Sequence, residues 1–192
     1  MAKKQEFRPD KSRTNLLEHL IPTQQQQRIF LKWSLYALLL VVLSVVQDVL
    51  LSPVRLLGAT TELVPCGIFL ICIIEGTQSG SIFALVSGLL YLFSGTPAGP
   101  YSMVAITVLS VAVCIFRQAY LQEGFPAALL CCAVAMTVYE LVNFSFGLFL
   151  ALTPPSRFHG FLITTVLSLI AVPILYPILK AINAIGGKSW KE

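Results

Sequence analysis

Two long apolar runs, residues 33–51 and 161–179, constrain this chain more than any other feature. A helix that crosses a bilayer needs about 20 mostly apolar residues, whereas a strand of a membrane barrel alternates over roughly 10. In hydrocarbon every backbone N–H and C=O must be satisfied within its own segment or around a closed barrel. Unbroken apolar runs of this length therefore predict an all-α polytopic membrane helix bundle. Composition agrees: 56% of the 192 residues are hydrophobic and 11% charged, against about 25% charged in soluble domains. One compact bundle uses up this length, and no separate catalytic domain is expected beside it.

Three regions are expected. Residues 1–32 form a basic cytoplasmic segment, 33–180 a transmembrane helical domain, and 181–192 a cytoplasmic tail. No cleavable signal peptide is expected, because the first 30 or so residues are polar and the first apolar run has no suitably placed small-residue site. Within the basic segment, Leu16, Leu17, Leu20 and Ile21 recur at helical spacing after Asn15, with Glu18 three residues on. That pattern reads as a capped amphipathic helix on the membrane surface or as a disordered basic tail. Gln24 to Gln27 reads as a linker. Trp33 and Tyr36 then read as headgroup anchors.

Six spans are expected: 33–51, 63–74, 82–93, 101–116, 125–152 and 161–180. Spans two and three are short, and read either as two tilted helices or as a re-entrant pair. Basic residues near helix ends collect in the cytoplasm. With six crossings, or four and a re-entrant hairpin, eleven of the 13 lysines and arginines lie inside and only Arg55 and Arg157 outside. Both termini are thus expected in the cytoplasm.

Ionisable groups at membrane depth are costly unless paired, and so are candidates for function. In span five Met136, Tyr139, Glu140, Asn143 and Gly147 share one face. That face reads as a polar binding site or as interhelical hydrogen-bonding glue. Gln47 and Asp48 lie toward the outer end of span one, with Arg55 within reach as an ion-pair partner of Asp48. Glu75 is expected at the cytoplasmic headgroups without chemistry. Gly76, Gly80, Ala84 and Gly88 form a small-residue stripe that lets another helix approach, either within the chain or from a partner. Pro173 and Pro177 should kink span six near its cytoplasmic end.

No catalytic set is visible. Both histidines, His19 and His159, lie outside the spans, and the five cysteines read as buried inert thiols. No cofactor, metal or nucleic acid is implied. A proton relay through Glu140 lacks a visible second titratable group.

The order of features resembles the MreD family, small membrane proteins of the bacterial rod-shape complex. The resemblance rests on Val46-Gln47, Leu57-Gly58, Thr61-Glu62-Leu63, Gly80 through Gly88-Leu89-Leu90-Tyr91, Gly99 and Tyr101, Tyr139-Glu140-Leu141, and Val172-Pro173-Ile174-Leu175-Tyr176-Pro177. It implies a multi-pass protein of the bacterial cytoplasmic membrane that acts as a non-enzymatic scaffold. Such a scaffold binds an MreC-like bitopic protein and other elongation-complex proteins, a glycosyltransferase and a transpeptidase. It helps couple peptidoglycan synthesis to an actin-like filament, directly or indirectly. On this reading, bulky residues at Gly80, Ala84 or Gly88 weaken assembly. The rival is a substrate-binding subunit of a vitamin transporter, a bundle of similar size. The AxxxA coupling pattern of such subunits is missing from span one, where Val41 follows Ala37 by four residues.

Overall fold

A computed structural model describes residues 24–51, 60–95, 99–120 and 124–185. All regular structure among them is helical: α1 (Gln24–Val45), a π-helical turn (Val46–Leu51), α2 (Leu63–Glu75), α3 (Thr77–Phe93), α4 (Pro100–Tyr120), α5 (Phe125–Phe149), a short 3₁₀ turn (Pro155–Arg157), α6 (Phe158–Leu169) and α7 (Val172–Ile185). Three of these helices are long and apolar enough to cross a membrane, or four if the bent pair α6–α7 counts as one span. The amphipathic helix foreseen near Leu16, and Arg55 with its proposed pairing to Asp48, lie outside the described residues.

α2 is the axis of the bundle. Its 13 residues are almost all apolar, and nearly every one is buried, including Ile68, Phe69, Leu70 and Ile71. A helix that is apolar on every side has no lipid-facing or water-facing preference and is stable only when surrounded. Here α1, α3, α4, α5, α6 and α7 all pack against it. At about 1.5 Å per residue α2 is roughly 20 Å long and α3 roughly 26 Å, both less than the ~30 Å hydrocarbon layer.

One residue, Gly76, joins α2 to α3, and its φ of 90° is a conformation that side chains with a Cβ rarely adopt. The polar stretch 77–81 therefore belongs to a helix, and a single glycine makes the corner. Past it, the two helices press together. A Cβ at Gly80 would lie 3.0 Å from the Cys72 Cα, so backbone meets backbone there. Ala84 is wholly buried, and Gly88 faces Met103 of α4 at an ordinary 3.6 Å.

Two boundaries differ from expectation. Gln24 to Gln27 are not a linker: they are the exposed first turn of α1, which with its π-helical turn runs for 28 residues. Glutamine is a good helix former, and nothing before Trp33 breaks the helix that the apolar run propagates. In the last apolar run the break falls at 170–171, near its middle and not near its C-terminal end as expected, and α6 and α7 meet there at 45°. Pro173 explains the position, since its ring clashes with the carbonyl four residues back and it has no N–H to donate. The chain closes α6 with short-range bonds, Ile170 N–H to Leu167 O and Ala171 N–H to Ser168 O. α7 continues through Pro177 without a second break.

Candidate functional site

Among the described residues, the buried charged and amide side chains gather in two groups, one at each end of α2. At the end where α2 meets α3, α1 contributes Lys32 and Tyr36, one helical turn apart on the face that also buries Leu40 and Leu43. Lys32 Nζ lies 2.7 Å from Glu75 Oε2, and the Tyr36 hydroxyl donates to Glu75 Oε1 at 2.7 Å. Lys32 also donates to Asn183 Oδ1 of α7 at 3.3 Å. Trp33 packs on Phe83 with ring centroids 5.4 Å apart and screens the pair.

Glu75 is thus not a side chain free to reach out of the bundle. It is 8% exposed, with both carboxylate oxygens bonded. Nor is Tyr36 a headgroup anchor, since it is fully buried. The physical reason is shared: a carboxylate in this interior is tolerated only with a cation and donors around it, and α1 supplies both at a four-residue spacing. Nearby, the Arg117 guanidinium donates to the Ile73 carbonyl, one of the orphan acceptors of the last turn of α2. Thr77 Oγ1 donates to Gln118 Oε1 at 2.6 Å.

The opposite end of α2 is assembled differently. Glu62 stands at the N-cap position, and its side chain does not cap the helix. Other helices satisfy the free N–H groups instead: Glu62 N–H donates to Ser168 Oγ of α6 at 2.9 Å, and Val64 N–H to Gln47 Oε1 at 3.0 Å. Gln47 Nε2 in turn donates to the Tyr91 hydroxyl at 3.2 Å. The π-helical turn carrying Gln47 widens the helix where its side chain must reach inward, a recurrent use of such turns. Asp48, beside it, is exposed.

Against this cap lies the polar face of α5. Tyr139, Glu140 and Asn143 are each at most 5% exposed. Glu62 Oε2, Glu140 Oε1 and Asn143 Oδ1 are shielded and accept no hydrogen bond. Tyr139 stands between Glu62 and Asn143, and the charge acting on Glu140 is that of Glu62. Glu62 precedes the helix, and burial pushes its carboxyl up to about 7, with a hydrogen bond from Tyr139 pulling the other way.

Of the residues singled out in the sequence, Gln47, Tyr139, Glu140 and Asn143 therefore come together, with the exposed Asp48 acting on Tyr91 by its charge. Glu62 is the second titratable group that the sequence reading lacked. It was invisible because it lies 78 positions from Glu140 on a different element. Lys32 and Tyr36 were legible in part, because 32, 36, 40, 43 and 47 share one helical face. All five cysteines are free and buried. Cys72 Sγ donates to the Gly80 carbonyl at 3.1 Å and Cys114 Sγ to the Cys72 carbonyl at 3.1 Å.

No protein-family model, curated protein or solved structure matches this chain.

Proposed function

We propose that this chain is a non-enzymatic scaffold of a bacterial cell-wall elongation machinery in the cytoplasmic membrane. In this reading it crosses the bilayer six times, α2 and α3 being short and α2 packed inside the bundle, with both termini in the cytoplasm. It binds an MreC-like bitopic partner and helps link wall synthases outside to an actin-like filament inside.

One observation carries the reading. The stretches on which the resemblance to the MreD family rests are far apart in sequence, yet Gln47, Glu62, Tyr91, Tyr139 and Glu140 meet in a single polar layer. Residues used jointly in this way belong to one architectural device. The meeting of Lys32, near the start of α1, with Asn183, near the end of α7, supports an even number of traverses. The inward-facing acceptors of Glu62, Glu140 and Asn143 are what a transporter subunit would also need, and this keeps that rival worth testing.

Purification of the tagged full chain from cross-linked native membranes tests the proposal. A bitopic coiled-coil protein and wall-synthesis enzymes should co-purify. A stoichiometric bound vitamin without them would replace the scaffold by the transporter subunit. Reporter fusions at the carboxyl terminus should report the cytoplasm, and a periplasmic signal would overturn the six-span arrangement.

A further inference from the structure

We propose that Glu62, Glu140 and Asn143 form a site for a small monovalent cation, sodium or a proton, inside the bundle. The site is built from two elements, the connection ahead of α2 and the middle of α5. Three oxygens there, Glu62 Oε2, Glu140 Oε1 and Asn143 Oδ1, are screened from solvent and lack a hydrogen-bond donor. Asn143 is the independent pointer. Its amide is 5% exposed, carries no charge and has an unused acceptor, so the need at this place is for something positive and not merely for relief of carboxylate repulsion.

Buried acceptors are almost always satisfied, and each specific exception asks for a reason. Two carboxyls in one apolar interior cannot both remain ionised without a counter-charge. A proton held by the pair, or a sodium ion bridging the carboxylates and the Asn143 carbonyl oxygen, supplies it. Oxygen-only donors suit a hard cation. No group of three or more His, Cys, Asp or Glu side chains gathers among the described residues, which sets this site apart from one for a transition metal.

The other end of α2 shows what the missing charge does. There Lys32 occupies the equivalent place beside Glu75, and every carboxylate oxygen is bonded. Among the described residues, the titratable or charged groups around the proposed site are Tyr139 on α5, Tyr91 on α3 and Asp48 in the π-helical turn after α1. α6 offers the hydroxyls of Thr164, Thr165 and Ser168, all buried. None of these is a cation.

The experiment is thermal unfolding of the purified full chain in neutral detergent, in sodium chloride or N-methylglucamine chloride at equal ionic strength, at pH 5.5 and pH 8.5. Sodium binding raises the midpoint by about 3 °C or more at pH 8.5 and not at pH 5.5. That sodium response disappears in Glu62→Gln or Glu140→Gln and shrinks in Asn143→Ala. Proton binding alone gives a midpoint that falls between pH 5.5 and 8.5 regardless of sodium, and either glutamine variant removes the fall. If wild type and variants respond alike to both sodium and pH, the site does not exist. Glutamine keeps the shape of a protonated carboxyl, so these variants should fold. Should Glu140→Gln not, Glu62→Gln and Asn143→Ala decide between the same outcomes.

Discussion

The two ends of α2 both shield a glutamate carboxyl, and they handle it in opposite ways. Glu75 meets Lys32, Tyr36 and, through the lysine, Asn183, so charge and hydrogen bonds close within the chain. Glu62 meets another carboxyl, Glu140, and leaves an acceptor open. The first arrangement ties α1, α2 and α7 into a rigid corner, because three helices must keep their positions for the pair to hold. The second leaves two carboxyls side by side with no paired cation among the described residues.

The largest break in this contrast should come at the closed end. Glu75→Leu leaves Lys32 buried without its counter-charge and should cost about 3–5 kcal/mol, as breaking buried ion pairs does elsewhere. The Lys32→Met, Glu75→Leu double variant should recover most of that loss, a non-additivity that a double-mutant cycle of unfolding in detergent measures directly. If the single and double variants lose the same stability, the pair is not the corner it resembles.

Acidity should separate the ends next. Burial raises the Glu62 carboxyl from its ordinary 4.5 to about 7, so its neutral form is favoured in the folded chain. Stability from this group is therefore complete below about 4.5 and is lost as pH rises through about 7, at a slope approaching about 1.4 kcal/mol per pH unit for one proton. Glu62→Gln should flatten that slope in denaturation measured across this range, while Lys32→Met, Glu75→Leu should leave it in place.

Beside the closed end, Gly80→Ala forces α2 and α3 apart at the Cys72 backbone and should cost about 1–3 kcal/mol, the usual range for overpacking. Gly88→Ala, with ordinary room against Met103, should be neutral or slightly stabilising in the same melts, since alanine is the better helix former. Smallest of all, Tyr91→Phe removes the partner of Gln47 Nε2 and should cost about 1 kcal/mol while leaving the Val64 cap intact.

Much of the fold could be read directly. The apolar runs mark the long helices, and Pro173 marks a discontinuity whose position the structure moves to 170–171. The polar face of α5 was legible from three- and four-residue steps, and Gln47 stood out as an amide in an apolar run. The partners of Glu75 were missed because it follows an unbroken apolar helix, where a charge ordinarily marks the edge of the membrane. Only the buried Lys32 on another helix shows that the carboxylate is paired inside the bundle. Glu62 was passed over for a similar reason, as it sits ahead of a helix where an acidic residue is unremarkable.

What the chain's sequence determines by itself is its solvent and its secondary structure, because lipid demands that each backbone polar group be satisfied locally and helical periodicity is a property of neighbours. What the tertiary structure alone decides is which buried charges cancel. Lys32 finds Glu75 across 43 positions and Asn183 across 151, while Glu62 finds Glu140 and, among the described residues, no cation. Electrostatic pairing depends on distance in space and on exclusion of water, and neither quantity is written in the order of residues along a chain.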